Sequence, residues 1–295
     1  MSKESSYSIG NHVITVRGNR VVSELEHMGN FFPFRTDKES EWTVEFGCQL
    51  KSDDFEVRHS FDFDDNCDMY CKFGIEGRTN VLVMLDRNTE RELVRMECDE
   101  GDTFVKASEI DEEAIPRLGF LLWFAYNIIG IPRGVMAFHS STVVYKGMAN
   151  LFLGESGTGK STHSKLWIKN IDGARLLNDD GPIVVFENGL LMVYGSPWSG
   201  KTHCYHNVGF PAKAFVRIVR AKYNKIQRLS VLKAFAALQP SMPPAMAYVP
   251  YYSDKLLDNL EAIIKTVPVY QLECLPDDAA AATSFGELYG KSTSL

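Results

Sequence analysis

Two stretches of the chain fit the phosphate-loop spacing G-x-x-x-x-G-K-[ST]: GESGTGKS at 154–161 and GSPWSGKT at 195–202. The chemistry behind that spacing is specific. Glycines let the backbone curl and turn successive N–H groups towards an anion, the lysine reaches the outer phosphates of a nucleoside triphosphate, and the hydroxyl ligates Mg²⁺. The first stretch has the flanks this requires, a β-forming run, ANLFL, before it and a helical segment, STHSKLWIKNI, after it. Gly154, Ser156, Gly157, Thr158, Gly159, Lys160, Ser161 and Thr162 are therefore assigned to a nucleoside triphosphate, with a helix N-terminus behind them. The second stretch lacks that context. Pro197 has no N–H to donate, Trp198 is bulky for a phosphate cradle, and THCYHNVGFPAK downstream has no helical period. It reads as a loop that leaves a hairpin with polar tips, among them Ser196, Ser199, Lys201, Thr202 and His203. Lys201 is the expected charged finger towards the transferred phosphoryl group or its acceptor.

Phosphoryl transfer also needs a metal ligand and a group that orients or deprotonates the acceptor. Asp179 and Asp180 close a short β-run, ARLLNDD, and Gly181-Pro182 turn the chain after them. Neighbouring side chains on a regular strand point to opposite faces, so both can serve one site only if the backbone turns there. Ser161, Asp179 and Asp180 are the candidate Mg²⁺ ligands, one of the two aspartates binding the metal and the other taking the acceptor's proton. STVVY and ANLFL flank Lys146-Gly147 as a hairpin. Pairing Tyr145 with Met148 brings His139 beside Gly154 at the mouth of the first loop and makes it a site residue. His163, His203 and His206 lie near the same loops but lack the company of a metal cluster. Arg217, Arg220 and Arg228 follow on a later strand and are candidates for phosphate or acceptor contact.

The elements that must hold these groups divide the chain. Residues 1–108 are rich in alternating β-formers (HVITV, WTVEF, VLVML), with a hairpin across DRNTE. A helix opens at about residue 109, and 109–295 is expected to be the nucleotide-binding domain, a mixture of strands and helices. Bulk properties narrow the partners. A net charge of −7 disfavours a nucleic-acid backbone. The apolar run LGFLLWFAYNIIGI is 14 residues, short of the roughly 20 that cross a bilayer, so a buried helix and no membrane partner are expected. Six cysteines without a C-x-x-C pair, and a polar amino-terminal segment, suit reduced thiols and a cytoplasmic location. Cys67 and Cys71 read as free thiols, and the acidic run Asp53, Asp54, Asp62, Asp64, Asp65 and Asp68 as a solvated loop.

The order His139, hairpin, GESGTGKST, NDD resembles the catalytic domain of HPr kinase/phosphorylase and its relatives. The loop and paired aspartates are also similar to the nucleotide site of phosphoenolpyruvate carboxykinases. The resemblance covers roughly 110–295. It implies an α/β phosphate-loop kinase domain of that type with a mixed sheet, preceded by a β-rich N-terminal domain. It further implies an ATP- and Mg²⁺-dependent phosphotransferase, with Lys160 and Ser161 on nucleotide and metal, Asp179 and Asp180 as metal ligand and acid/base, and His139 as their neighbour. The acceptor expected is a hydroxyl, on a protein serine or a small molecule. A carboxykinase-like reaction on phosphoenolpyruvate or oxaloacetate, and a non-catalytic nucleotide-binding regulatory or scaffold role, stand as alternatives. Homo-oligomer formation is left open.

Overall fold

Three two-residue turns set much of the local topology. Gly10-Asn11, Lys146-Gly147 and Asn188-Gly189 all have positive φ at both positions, the type I′ geometry whose twist matches two antiparallel strands. They join Ile9 to His12, Tyr145 to Met148 and Glu187 to Leu190 as directly paired residues. The computed structural model describes residues 2–50, 54–63, 67–200 and 202–290, and these form two units, Met1–Arg133 with Pro244–Leu256, and Gly134–Pro243 with Leu257–Leu295.

The first unit is built on an eight-stranded sheet. Its strands are β1 (Glu4–Ile9), β2 (His12–Arg17), β3 (Trp42–Phe46), β4 (Glu56–Asp62), β5 (Met69–Glu76), β6 (Thr79–Asp86), β7 (Glu92–Asp99) and β8 (Phe104–Ala107). They run in the order β1-β2-β3-β8-β7-β6-β5-β4. The DRNTE turn joins β6 to β7, and Asp86 Oδ1 accepts from the Asn88 and Thr89 amides at 3.0 and 2.7 Å, an Asx-type closure. Helix α1 (Asn19–Leu25) follows β2. Helix α2 (Leu118–Gly130) is preceded by a 3₁₀ segment, Glu112–Arg117, capped by Asp111, which accepts from the Glu113 amide at 3.0 Å.

Nearly every side of α2 is buried, as its unbroken apolar run demands. Phe124 meets Phe73 edge-on at 5.0 Å, Tyr126 meets Trp42 at 4.9 Å, and the Tyr126 hydroxyl donates to the Ile9 carbonyl at 2.9 Å. The continuous helical stretch Glu112–Arg133 is longer than the 14-residue apolar run suggests. By length and composition it matches a membrane span, yet 67% of its most apolar window is buried inside the protein. These contacts place α2 in the first unit, whereas composition alone assigned it to the second domain. Composition shifts mark where helix begins; which sheet the helix covers depends on side-chain packing. Asp62 is ion-paired with Arg87, while Asp53, Asp64 and Asp65 of the acidic run lie outside the described residues. All six cysteines are free thiols.

The second unit is mixed α/β. Its strands are β9 (Val135–Ala137), β10 (Ser140–Tyr145), β11 (Met148–Leu153), β12 (Arg175–Asp180), β13 (Ile183–Glu187), β14 (Leu190–Tyr194), β15 (Gly209–Arg220), β16 (Lys225–Arg228) and β17 (Val269–Cys274). Seven run in the order β12-β10-β11-β15-β14-β13-β9, with β17 also on β15 and β16 on β17. The twelve-residue β15 links two regimes: its start pairs antiparallel with β14, its later part parallel with β11 and β17. The helices are α3 (Lys160–Asn170), α4 (Val231–Leu238), α5 (Pro250–Thr266), whose first turns belong to the first unit, and α6 (Asp278–Tyr289).

Helix α6 is absent from the sequence reading, although Asp277 before an alanine run is a helix-start signal; its side chain accepts from the Ala280 amide at 2.9 Å. α6 packs on α3 through the fully buried Trp167, whose indole N–H donates to Ser284 Oγ at 2.8 Å. Trp167, Phe152, Val216 and Leu272 fill the space between sheet and helices. Deleting such an indole costs about 3–5 kcal/mol. This layer holds the start of α3 rigidly against the end of β11, which is where the first glycine loop lies.

Candidate phosphate-binding site

The β10–β11 ladder keeps the register Tyr145↔Met148 through to Ser140↔Leu153. His139 and Gly154 are the next residues beyond it, so the hairpin delivers both to the same end of the sheet. Gly154, Gly157 and Gly159 have φ of 149°, 75° and 112°, values that side-chain-bearing residues rarely adopt. At Gly154 a Cβ would lie 2.5 Å from Thr158 Oγ1 and 3.3 Å from the Ile218 carbonyl, so the loop is pressed against the end of β15. Thr158 ties the loop to itself, its amide and hydroxyl reaching the Glu155 carbonyl at 3.2 and 2.8 Å. Arg220 donates to the Gly157 carbonyl, and Arg217 lies 3.8 Å from the Glu155 carboxylate. Two of the three candidate arginines therefore brace the loop; Arg228 sits on β16 beside Tyr270.

Lys160, the first residue of α3, is largely buried. Its ammonium donates to the Gly154 carbonyl at 2.8 Å, the Glu155 carbonyl at 3.2 Å and His139 Nε2 at 2.9 Å, which uses all three of its protons. Burial pulls its pKa below the ordinary lysine value, and the nearby Asp180 and Asp179 carboxylates pull the other way. Because His139 Nε2 accepts, the ring proton belongs on Nδ1, which lies 2.8 Å from Asp180 Oδ1. Asp180, His139 and Lys160 thus form one hydrogen-bonded line into the loop.

Asp179 faces the loop from the other side. It is 7% exposed; Oδ1 accepts from Ser161 Oγ at 2.9 Å and Oδ2 from Thr202 Oγ1 at 2.7 Å. Both aspartates reach one cleft because the strand ends in a side-chain-supported turn. The buried Asn178 accepts the Asp180 and Gly181 amides on Oδ1 at 3.1 and 2.9 Å, and its Nδ2 donates to Ser196 Oγ at 3.2 Å. That turn breaks the alternation of a regular strand.

The second glycine stretch is a strap over this turn. Gly200 N donates to the Asp179 carbonyl at 3.0 Å, Gly181 N to the Trp198 carbonyl at 3.2 Å, and Ser196 Oγ to the Gly181 carbonyl at 2.6 Å. Asp180 and Ser199 form an isolated antiparallel bridge. No helix follows; 203–208 is irregular until β15 begins. Lys201 lies outside the described residues.

Together these groups border a cleft of about 430 Å³ lined by His139, Ser156, Lys160, Ser161, Asp179, Asp180 and Thr202, with Gly157, Gly159 and Thr162 along the loop. The structure brings together every described residue assigned from sequence to nucleotide, metal or catalysis, Gly154 and Thr158 supporting the loop from behind. Lys165 also lines the cleft, a residue the sequence reading passed over. Its position four after Ser161 on α3 was the available signal. Thr202 reads in the sequence only as a polar tip, and its contact with Asp179 depends on the strap folding back. His163 does not join the cleft. It is buried, with Nε2 3.1 Å from Ser284 Oγ, and burial pulls its pKa down to about 4. No group of three or more histidine, cysteine, aspartate or glutamate residues suited to a metal occurs among the described residues.

No protein-family model matches the chain, and no curated protein matches it. Among solved structures, the Hpr(Ser) kinase/phosphatase from Coxiella burnetii is similar over 51% of this chain and 95% of its own, at 14% identity and a TM-score of 0.31. That is a distant structural relationship, and nothing about this chain's chemistry follows from it.

Proposed function

We propose that the second unit is an ATP- and Mg²⁺-dependent phosphotransferase that moves the γ-phosphoryl group to a hydroxyl acceptor, on a protein serine or a small molecule. The observation that carries this reading is the convergence of Asp179 and the Asp180–His139–Lys160 line on one glycine loop. In this reading the loop amides and Lys160 bind the outer phosphates, Lys160 exchanging its contacts with the loop carbonyls for phosphate oxygens. Among the described residues, the oxygens of Asp179 accept from two neutral hydroxyls, and no lysine or arginine nitrogen lies within ion-pair distance of it. One carboxylate beside one hydroxyl, facing a polar cleft with room for water and phosphate, is a donor set that fits Mg²⁺, which prefers few protein oxygens and keeps several waters. Ser161 and Asp179 would hold the ion, which when bound offsets the charge of the phosphates.

Asp180 is left free of that duty. It is half-exposed and bonded to His139; in this reading it takes the proton of an acceptor hydroxyl as that oxygen attacks the γ-phosphorus. The acceptor O–P bond forms, the bond from the γ-phosphorus to its bridging oxygen breaks, and ADP carries away that bridging oxygen. Lys201, which follows Gly200 in the second glycine stretch of the sequence, is assigned to the transferred group or the acceptor.

The test is incubation of the full chain with Mg²⁺ and γ-labelled ATP in an extract, with identification of what acquires label. Asp180→Asn should hold ATP within about threefold of the parent chain yet lower transfer by about 10³-fold, the usual range for loss of a proton acceptor. Transfer at an undiminished rate would remove Asp180 from the chemistry. ATP binding with no acceptor labelled by the parent chain would leave only the regulatory role.

A further inference from the structure

A second cleft adjoins the first along the glycine loop. It shares Gly157, Gly159 and Thr162 with the polar cleft and encloses about 370 Å³. On α3 the two clefts use neighbouring faces: Ser161 and Lys165 line the first, His163 and Leu166 the second, and Thr162 both, as the 3.6-residue turn dictates. Its remaining walls come from the carboxyl ends of the parallel strands β15 and β17, through Ile218, Ala221, Leu275 and Pro276. The crevice beyond the carboxyl ends of parallel strands is where open α/β sheets take their ligands.

The two clefts differ in chemistry. The first carries two carboxylates and two lysines; the second has aliphatic walls in Leu166, Ile218, Ala221, Leu275 and Pro276, with Thr158, Thr162, the buried His163 and Cys274 between them and Arg220 as the cationic group among the described residues. Arg220 donates to the Gly157 carbonyl and so stands at the junction of the two. A polyphosphate seated on the loop would continue, at its inner end, into this apolar space. A cleft of this size with apolar walls and few polar groups suits a flat aromatic ring system carrying a sugar. A guanidinium at the rim of such a cleft can stack on a ring face.

Resting on the phosphotransferase reading above, we infer that the cleft between Leu166, Ile218, Ala221 and Leu275 is the nucleoside site, holding the aromatic base of the triphosphate by apolar contact. Base binding is then separable from phosphate binding, since Leu166, Ile218, Ala221 and Leu275 line the second cleft and not the first.

The experiment is calorimetric titration of the full chain, in Mg²⁺, with ATP and with inorganic tripolyphosphate, for the parent chain and for Leu275→Asp. Leu275 is 37% exposed, so the substitution is compatible with folding. ATP should bind the parent chain at least about tenfold more tightly than tripolyphosphate. Leu275→Asp should weaken ATP by about tenfold and leave tripolyphosphate within about twofold. Leu275→Ala, a milder change, should weaken ATP alone by about threefold. Equal affinity for ATP and tripolyphosphate, or equal weakening of both by the substitutions, would overturn the nucleoside site while leaving the phosphate site standing. Failure of both ligands to bind the parent chain would instead overturn the triphosphate reading itself.

Discussion

The chain writes the same eight-residue pattern twice and folds it in two ways. At 154–161 the loop is entered from the parallel-paired end of β11 and runs directly into an eleven-residue helix, so its glycines curl around the first turn of α3. At 195–202 the loop leaves a hairpin, with no helix behind it, and spends its hydrogen-bonding groups on the Asp179–Gly181 turn. The difference teaches that the pattern of glycine, lysine and hydroxyl does not make a phosphate cradle by itself. Amide groups point at an anion when a helix start holds them there and nothing else in the protein claims them. In the strap those groups are already claimed, and its product is the position of two carboxylates.

Breaking the first loop should have the largest effect. Lys160→Ala is expected to weaken ATP binding by about 100-fold or more, measured by calorimetry, since it removes the cation that faces the outer phosphates. The same substitution at Lys201 should leave affinity within about threefold and lower turnover about tenfold. Equal loss of affinity at both positions would erase the distinction between the loops.

A second test concerns the packing behind the first loop. The neutral, buried His163 is held at a pKa of about 4, well below its unfolded value of 6.5. The unfolded chain therefore gains a proton on acidification before the native one does. The stability that depends on a neutral His163 is fully present above pH 6.5 and is lost as pH falls towards 4, amounting to about 3 kcal/mol by pH 4. Denaturant titrations at pH 7 and pH 4.5 should show this slope in the parent chain, with much of it gone in His163→Leu. Among the described residues His163 is the buried histidine, and the strap has no counterpart to it.

The strap is sharpened by smaller changes. Gly195→Ala puts a Cβ 2.0 Å from the His206 carbonyl and should cost about 2–3 kcal/mol in thermal or denaturant unfolding. Thr202→Ala removes one of the two hydroxyls on Asp179. It should raise the Mg²⁺ concentration for half-maximal transfer by about three- to tenfold while leaving ATP affinity unaltered. An unchanged Mg²⁺ requirement would reduce the strap to a surface turn.

Much of this was legible in the chain. The Lys146-Gly147 turn, the strand-loop-helix around 154–161, and the failure of Pro197 and Trp198 to suit a cradle are all properties of neighbours in sequence. So is the hairpin register that carries His139 to Gly154, because a two-residue turn leaves the ladder little freedom to slip. The helix at 118–130 was legible as buried, but its allegiance to the first unit was not, since a helix apolar on nearly every face carries no mark of which sheet it will cover. Helix α6 was signalled only by Asp277 and the alanines after it, and its weak amphipathic pattern hid it.

What the sequence determined by itself is the kind of loop at 154–161 and the residue types available to work beside it. Those follow from backbone rules that act over a few residues: glycine's access to positive φ, the helix start, the hairpin turn. Only the tertiary structure decided that Asp179 meets Ser161 and Thr202 while Asp180 meets His139. That division depends on β12 pairing with β10, on Asn178 turning the chain and on the strap closing over it, contacts between residues far apart in sequence whose alignment no local pattern encodes.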